Sequence, residues 1–194
     1  MILHEEPLIS VLAALERASA NAPFDSYTCT LSTVSGNARP AGRVILVRVV
    51  DERGFVFFSN RESRAGRHIM EIPHAALCFH WPWIGEQMRV QGRIELVADD
   101  VSDRFFEALP RDRQLTAWAS LQSHPLSSRG ELMQRYREMT ERYEGRNVPR
   151  PPYWGGYRMV PDRIEFWKER EAELHERRLW TRGPDGWRCE MLFP

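Results

Sequence analysis

Three arginines are placed where they could bind a phosphate. Arg43 and Arg48 flank an apolar strand, and Arg64 opens a predicted helix. Guanidinium groups make strong charge-assisted hydrogen bonds to phosphate, and helix N-termini offer free N–H groups to anions. Solvated strand ends explain the same arginines at least as well. Strict alternation also puts Arg43 and Arg48 on opposite faces of a strand, so one pocket using both needs a β-bulge or a subunit boundary.

Motifs for other chemistries are missing from the sequence. There is no HExxH, G-x-S-x-G, Walker or post-strand G-x-G-x-x-G pattern. Cys29, Cys78 and Cys189 are far apart and form no CxxC pair, which argues against a disulfide framework and predicts no bound metal. The seven Trp and nine Phe could stack a flat ring, although aromatic residues pack in a core by default.

The elements that must position these side chains are mostly strands. Between residues 87 and 97, apolar and polar residues alternate, which is typical of a strand with one core face. Residues 42–50 and 55–58 predict a hairpin, and the Trp154-Gly155-Gly156 run predicts a tight turn. Further strands are predicted at 27–34, 75–81, 157–159 and 163–168, with a final hairpin of 178–181 and 187–192.

Helices are predicted around these strands. One covers 7–20, a short one covers 62–70 with Asn60 as its cap, and 99–145 is helical. Ser128 and Glu131 fit a capping box. Leu132, Tyr136, Met139 and Tyr143 then form a helical stripe that predicts core packing. The sum is a barrel of about six or seven mostly antiparallel strands, with helices inserted after the fourth or fifth.

Composition limits the classes of partner. Basic and acidic residues balance at 27 each, so no global field favours nucleic acid or a membrane surface. No signal peptide and no apolar run of ~20 residues is visible, and we predict a cytoplasmic protein. The residues alone predict a β-barrel protein with a phosphorylated ligand as one option.

Nine ordered pieces of the chain resemble pyridoxamine 5'-phosphate oxidases. Each piece is short, but their order and spacing, from about residue 27 to the last residue, are specific. The pieces are GRVILVR at 42–48, GFVFFSN at 54–60, SR at 63–64, PRDRQ at 110–114, AWASLQS at 117–123, PPYWGGYR at 151–158, IEFW at 164–167, LHER at 174–177 and LFP at 192–194.

The resemblance implies a fold that is mainly β with α insertions (α+β), a split β-barrel that forms an FMN-binding homodimer. It further implies one domain over 1–194, with an N-terminal helix in 1–22, a helical insertion in 99–145 and a C-terminal segment, 150–194, that dimerises and covers the flavin. Two FMN molecules would lie at the subunit interface.

The resemblance also assigns the flavin site. Arg43 and Arg64 would hold the FMN phosphate, and Ser59 would add a hydroxyl. Ala65 stands where the family usually has a lysine, so FMN binding should be weakened but not abolished. Gln87 would meet the flavin ring, while Gln122, Ser123, Trp167 and Arg177 would reach it from the partner chain. The implied FMN-binding set is Arg43, Val44, Ile45, Leu46, Arg48, Phe58, Ser59, Arg64, Gln87, Gln122, Ser123, Trp167 and Arg177.

The substrate side departs further from the family. The implied substrate-binding positions are Arg48, Phe105, Leu109, Arg113, Glu173 and His175. Where the family grips pyridoxal phosphate with a lysine, a tyrosine, an arginine and a serine, this chain has Arg48, Phe105, Leu109 and Arg113. Glu173 replaces an arginine and inverts the charge there, whereas His175 is retained.

The resemblance implies hydride transfer from the substrate to flavin N5, with O2 reduced to H2O2 and His175 and Arg177 as catalytic residues. In one account the substrate is pyridoxine or pyridoxamine 5'-phosphate, the product is pyridoxal 5'-phosphate, and Arg48 and Arg113 rebuild the phosphate site. In a second, a related oxidase of the phenazine-pathway kind acts on another small aromatic metabolite. In a third, the barrel is a non-catalytic flavin-binding module.

Overall fold

The computed structural model describes residues 7–194. Its helices are α1 (Leu8–Ser19), α2 (Arg64–Glu71), α3 (Asp99–Glu107), α4 (Arg111–Ala119) and α5 (Arg129–Arg142), with 3-10 turns at Pro82–Ile84 and Glu171–Glu173. Its strands are β1 (Thr28–Val34), β2 (Pro40–Leu46), β3 (Val49–Asp51), β4 (Gly54–Asn60), β5 (His74–Trp81), β6 (Glu86–Leu96), β7 (Trp154–Lys168), β8 (Glu176–Gly183) and β9 (Gly186–Leu192).

The strands form one antiparallel sheet in the order β2-β1-β5-β6-β7-β4-β3. The long strand β7 pairs with β4 through its first half and with β8 through its second half, and β9 extends β8. Strands β2 and β3 end the order, yet only Val47 and Arg48 separate them in sequence. The sheet therefore curls into a half-barrel, which confirms the predicted fold class.

The predicted strand 42–50 is wrong in one respect, because it is two strands. Strand β2 pairs with β1, and only β3 forms the predicted hairpin with β4. The chain changes direction where Val47 N–H donates to Tyr27 O at 3.1 Å and Arg48 N–H donates to Val56 O at 2.7 Å. Within residues 7–194, nine strands therefore replace the expected six or seven, and the large helical insertion follows the sixth of them.

The start of β7 also differs from the prediction. Residues 154–156 are the first residues of a strand rather than a tight turn. The predicted strands 157–159 and 163–168 belong to this same strand, which bulges at Asp162 opposite Gln91 and Gly92. The glycines serve close packing, since a Cβ on Gly156 would lie 2.9 Å from ring carbon Cε1 of Phe58.

The main core lies between the barrel and α1. The helix buries Val11, Ala14, Leu15 and Ala18, and β6 buries Met88, Val90, Gly92 and Ile94 as the alternation predicts, whereas Leu96 is exposed. Burying such apolar surface is the main stabilising contribution to the fold. Among residues 7–194, none of the helices has the length and apolar character needed to cross a bilayer.

The helical insertion has a smaller core of its own. Phe106, Leu115, Tyr143 and Val148 are buried together, and the predicted stripe residues Tyr136 and Met139 pack against them. Helix α5 is capped by Ser128, whose hydroxyl accepts from Glu131 N at 3.2 Å, but the Glu131 carboxylate bonds to Ser127 instead of completing a capping box. Helix α2 is capped by Ser63 and not by the expected Asn60.

Candidate active site

A cleft of about 500 Å³ opens between β2, β4 and the helices α3 and α4. We call it the β2–β4 cleft. It brings together ten of the residues predicted for the flavin and substrate sites, namely Val44, Ile45, Leu46, Arg48, Phe58, Ser59, Phe105, Leu109, Arg113 and Gln122. The sequence prediction missed five other lining residues, Asn60, Thr116, Ala117, Ser120 and Trp154. Ser123 is not among the lining residues; it lies exposed beside Gln122, with φ at 69°.

One wall of this cleft is a stack of aromatic rings. Phe58 and Phe105 stack with centroids 3.9 Å apart and planes 11° apart, and Trp154 lies 5.3 Å from Phe58 in a nearly parallel plane. The Arg48 guanidinium is 5.9 Å from the centroid of the Phe105 ring. The wall therefore offers flat apolar surface beside a cation, which suits an aromatic ligand that carries an anionic group.

Two arginines, one on β2 and one at the start of α2, form a second feature. Nη1 of Arg43 donates to Leu31 O at 3.1 Å and to the Thr33 hydroxyl at 2.7 Å. Burial, and then the nearby Arg64 guanidinium, lower the pKa of Arg43 from its ordinary value. Arg64 is the first residue of α2, directly after the Ser63 cap. Two close guanidiniums near a helix start are a donor set that suits an anion, and their role in phosphate binding stays a prediction.

Gln87 and Trp167 lie in a different cleft, of about 420 Å³, between α1, β6, β7 and β8. We call it the β6–β7 cleft. Glu86 lies there, 6% exposed, with Arg17 at 2.8 Å and Lys168 at 2.9 Å. Burial raises the pKa of Glu86, but hydrogen bonds from both cations outweigh it, so this pKa lies below its ordinary value. The predicted flavin residues are thus not gathered in one cleft of the chain: most line the β2–β4 cleft, Gln87 and Trp167 line the β6–β7 cleft, and Arg43, Arg64, Ser123 and Arg177 line neither.

His175 has a hydrogen-bond partner at each ring nitrogen. Nδ1 accepts from the backbone N–H of Arg170 at 3.3 Å, so Nε2 carries the proton and donates to Glu173 Oε2 at 3.0 Å. The Trp167 ring lies 4.6 Å from the imidazole. Ala172 and Glu173 have positive φ angles of 54° and 59°, a backbone conformation that is unfavourable for residues with a Cβ. The turn therefore directs the Glu173 carboxylate onto the histidine.

Arg177 is held by a buried carboxylate that the sequence analysis did not identify. Its Nε donates to Glu165 Oε1 at 2.8 Å, and its Nη1 donates to Phe193 O at 2.9 Å. Glu165 also pairs with Arg89 across β6 and β7. Burial raises the pKa of Glu165, but the Arg177 hydrogen bond and the Arg89 charge outweigh it, so this pKa is lowered. Only strand register could have revealed this pair.

Comparisons with known proteins identify the family of the chain. Residues 16–149 match the family model described as "Pyridoxamine 5'-phosphate oxidase", and residues 154–194 match "Pyridoxine 5'-phosphate oxidase C-terminal dimerisation region". A Myxococcus xanthus (strain DK1622) protein named pyridoxine/pyridoxamine 5'-phosphate oxidase is 45% identical over 194 residues, which is 100% of this chain and 94% of that protein.

Solved structures extend the comparison to the fold. The crystal structure of PhzG from Burkholderia lata 383, in complex with tetrahydrophenazine-1-carboxylic acid, has a TM-score of 0.92 and 28% identity, covering 97% of this chain and 93% of that one. An FMN-binding protein from Nostoc punctiforme, described as related to pyridoxamine 5'-phosphate oxidase, has a TM-score of 0.78 at 19% identity, covering 99% of this chain and 100% of that one. The second likeness concerns the fold alone.

Proposed function

The chain belongs to the pyridoxamine 5'-phosphate oxidase family, and from that premise we propose that it is an FMN-dependent oxidase of pyridoxine or pyridoxamine 5'-phosphate that yields pyridoxal 5'-phosphate. The observation that carries the proposal is the β2–β4 cleft, where the stacked Phe58 and Phe105 rings lie beside the cations Arg48 and Arg113. Such a cleft suits a planar ring with an anionic substituent.

The residues present fit FMN. Arg43 and Arg64 supply two guanidiniums near the start of α2, a donor set suited to a phosphate dianion. Among the described strands, β2 ends the sheet order and pairs with β1 alone, so the backbone groups at 44–46 that point away from β1 would be available to a polar ring edge. The neighbouring Ser59 hydroxyl adds a further donor. These residues would hold the phosphate end and one edge of the flavin.

Bound FMN would supply the redox chemistry, accepting a hydride from a substrate carbon and reducing O2 to H2O2. Arg48 and Arg113 would bind the anionic group of the substrate, while Phe105 and Leu109 exclude water from its ring. The Arg170 amide at Nδ1 and the Glu173 carboxylate at Nε2 would fix the orientation of the His175 ring, which would orient the substrate. Arg177, held by Glu165, would place positive charge near the flavin ring.

A homodimer would complete this site. Gln87 and Trp167 lie in the β6–β7 cleft, apart from the β2–β4 cleft of the same chain. Residues 154–194 match a dimerisation region, so we propose that the partner's Trp167 meets the flavin edge, while the contact of Gln87 with the flavin ring stays a prediction. Gln122 lines the β2–β4 cleft of its own chain, and its assignment to the partner's flavin stays a prediction, as does that of Ser123.

A second candidate substrate is an aromatic metabolite that carries a carboxylate rather than a phosphate ester. Phe105 and Leu109 make the cleft more apolar than a site built for a dianion requires. The similarity to a phenazine-pathway protein solved with tetrahydrophenazine-1-carboxylic acid favours this alternative. Both candidates share the chemistry of a flat ring with an anionic substituent.

The test is flavin reduction without oxygen, followed by absorbance. The purified protein, reconstituted with FMN, is mixed with pyridoxine 5'-phosphate, pyridoxamine 5'-phosphate or a dihydrophenazine carboxylate. Bleaching by the B6 phosphates supports the first proposal, and bleaching only by the dihydrophenazine supports the second. A protein that stays colourless with added FMN would overturn both, and a yellow protein that none of them bleaches would favour a flavin-binding module.

A further inference from the structure

A buried polar chain lies behind the two arginines of the anion site. Nη1 of Arg43 donates to the Thr33 hydroxyl at 2.7 Å, and that hydroxyl lies 3.2 Å from Nδ1 of His68. Thr33 is 3% exposed and His68 is 7% exposed. Thr33 belongs to β1 and His68 to α2, so the chain connects the sheet to the helix that carries Arg64.

The positions of the protons follow from the donors and acceptors. Arg43 can only donate, so the Thr33 oxygen accepts from it. The hydroxyl proton of Thr33 then needs its own acceptor, because a buried donor without a partner is unfavourable. Nδ1 of His68 is that acceptor, which places the histidine proton on Nε2. The hydrogen bonds therefore run in one direction, from Arg43 through Thr33 to His68.

This chain constrains Arg43 in a way that matters for anion binding. Both hydrogen bonds of the guanidinium, to Thr33 and to Leu31 O, use Nη1. Within residues 7–194, Nε and Nη2 of Arg43 make no hydrogen bond. The like charge of Arg64 is close enough to lower the pKa of Arg43 and would drive the two side chains apart in the absence of an anion. Holding Nη1 fixed therefore keeps the remaining donors together with those of Arg64.

We propose that Thr33 and His68 are positioning residues for the phosphate-binding guanidinium of Arg43. They hold it beside Arg64 before the phosphate arrives, which reduces the ordering cost of binding. This inference rests on the proposed FMN function and adds two residues that do not touch the cofactor.

The test compares FMN with riboflavin, which has the same ring and ribityl chain but no phosphate. Affinities of the refolded apoprotein are measured by flavin fluorescence quenching, and Tm reports folding. Thr33→Val removes the hydroxyl at nearly constant shape. We expect FMN affinity to fall by roughly tenfold, the lower range for a hydrogen bond to a charged group, and riboflavin affinity to stay the same. Thr30→Val, the same change at an exposed position of β1, is the matched control.

Conservative variants separate positioning from a general structural role. Thr33→Ser keeps the hydroxyl and should restore FMN affinity. His68→Asn places an amide oxygen near the position of Nδ1 and should retain most of the FMN affinity. His68→Leu removes the acceptor and should lower the FMN affinity as much as Thr33→Val does. The double variant Thr33→Val/His68→Leu should bind FMN no more weakly than Thr33→Val alone, because both changes break the same hydrogen-bond chain.

Each outcome bears on the inference. Equal FMN affinity in wild type and Thr33→Val, with Tm unchanged, would overturn it, as would an equal loss of FMN and riboflavin affinity. If Thr33→Val fails to fold, a His68→Leu variant that binds FMN as tightly as His68→Asn overturns it instead. A wild-type protein that binds neither flavin would overturn the proposed function itself, and the inference with it.

Discussion

Replacing Arg48 tests whether the β2–β4 cleft recognises the anionic group of its substrate. Arg48 lies just after the turn from β2, with its backbone N–H bonded to Val56 O and its guanidinium over the Phe105 ring. Arg48→Met keeps most of the side-chain length and removes the charge. The backbone hydrogen bond does not depend on the side chain, so we expect the fold to survive the change.

The size of the effect follows from the charges in the cleft. A hydrogen bond to a charged group contributes about 1.5–3 kcal/mol. Arg113 lines the same cleft and retains part of the attraction, so the loss should lie near the lower figure. About 1.5 kcal/mol corresponds to roughly a tenfold fall in kcat/KM. Arg48→Lys keeps the charge and should lose less.

The assay is steady-state H2O2 production with pyridoxine 5'-phosphate and with pyridoxine, which lacks the phosphate. Arg48→Met should reduce kcat/KM for the phosphate ester and leave that for pyridoxine almost unchanged, so that discrimination between them falls about tenfold. Arg53→Met is the matched control, because Arg53 is exposed in the turn between β3 and β4. An equal fall for both substrates would refute a role for Arg48 in anion recognition.

Three further predictions concern stability and reactivity. Gly156→Ala should destabilise the protein by about 1–3 kcal/mol in urea unfolding, because the new methyl would overlap the Phe58 ring; Gly183→Ala, which has room for a methyl, should not, and equal effects would contradict the packing argument. Burial raises the pKa of Glu86, but its two cationic partners lower it by more than burial raises it, so the pKa lies below its ordinary value. Its stabilising effect should thus be complete above the ordinary pKa of 4.5 and disappear as the pH falls through the lower folded-state value, and Glu86→Gln should flatten this acid limb of the stability curve; an unchanged limb would rule out the assignment. Burial raises the pKa of the Cys29 thiol to about 12, so a thiol-specific reagent at pH 8 should label Cys29 only after unfolding, as mass spectrometry of the labelled peptides would report.

Residue types could indicate some residues of the anion site but not those behind it. Charge and spacing leave Arg43 and Arg64 open between a phosphate site and solvated positions, and only the family resemblance favours the phosphate; the structure places the two guanidiniums near each other. The sequence does not indicate Thr33 or His68, because a threonine in a strand and a histidine in a helix carry no local signal. Their contact joins residues 35 positions apart, and only the packing of α2 on β1 produces it.

The position of Arg48 could not be predicted from the sequence for a related reason. Alternation along one strand would place Arg48 opposite Arg43, but the chain leaves β2 after Leu46 and begins β3 at Val49, so the two arginines do not lie on one strand. Nothing in the apolar run 42–50 marks that break. The hydrogen bonds of Val47 to Tyr27 and of Arg48 to Val56 produce it, and these bonds connect different strands of the curled sheet.

What the sequence determined by itself was local: the face of β6 that is buried, the helix α1, the final hairpin and the charges that an anion would need. These follow from periodicity and residue chemistry, which act over a few neighbouring positions. What the tertiary structure alone decided was which of these pieces meet. The Phe58, Phe105 and Trp154 rings and the Glu165 pairing with Arg89 and Arg177 join distant segments, because side chains far apart in sequence come into contact only when strand register and packing bring their elements together.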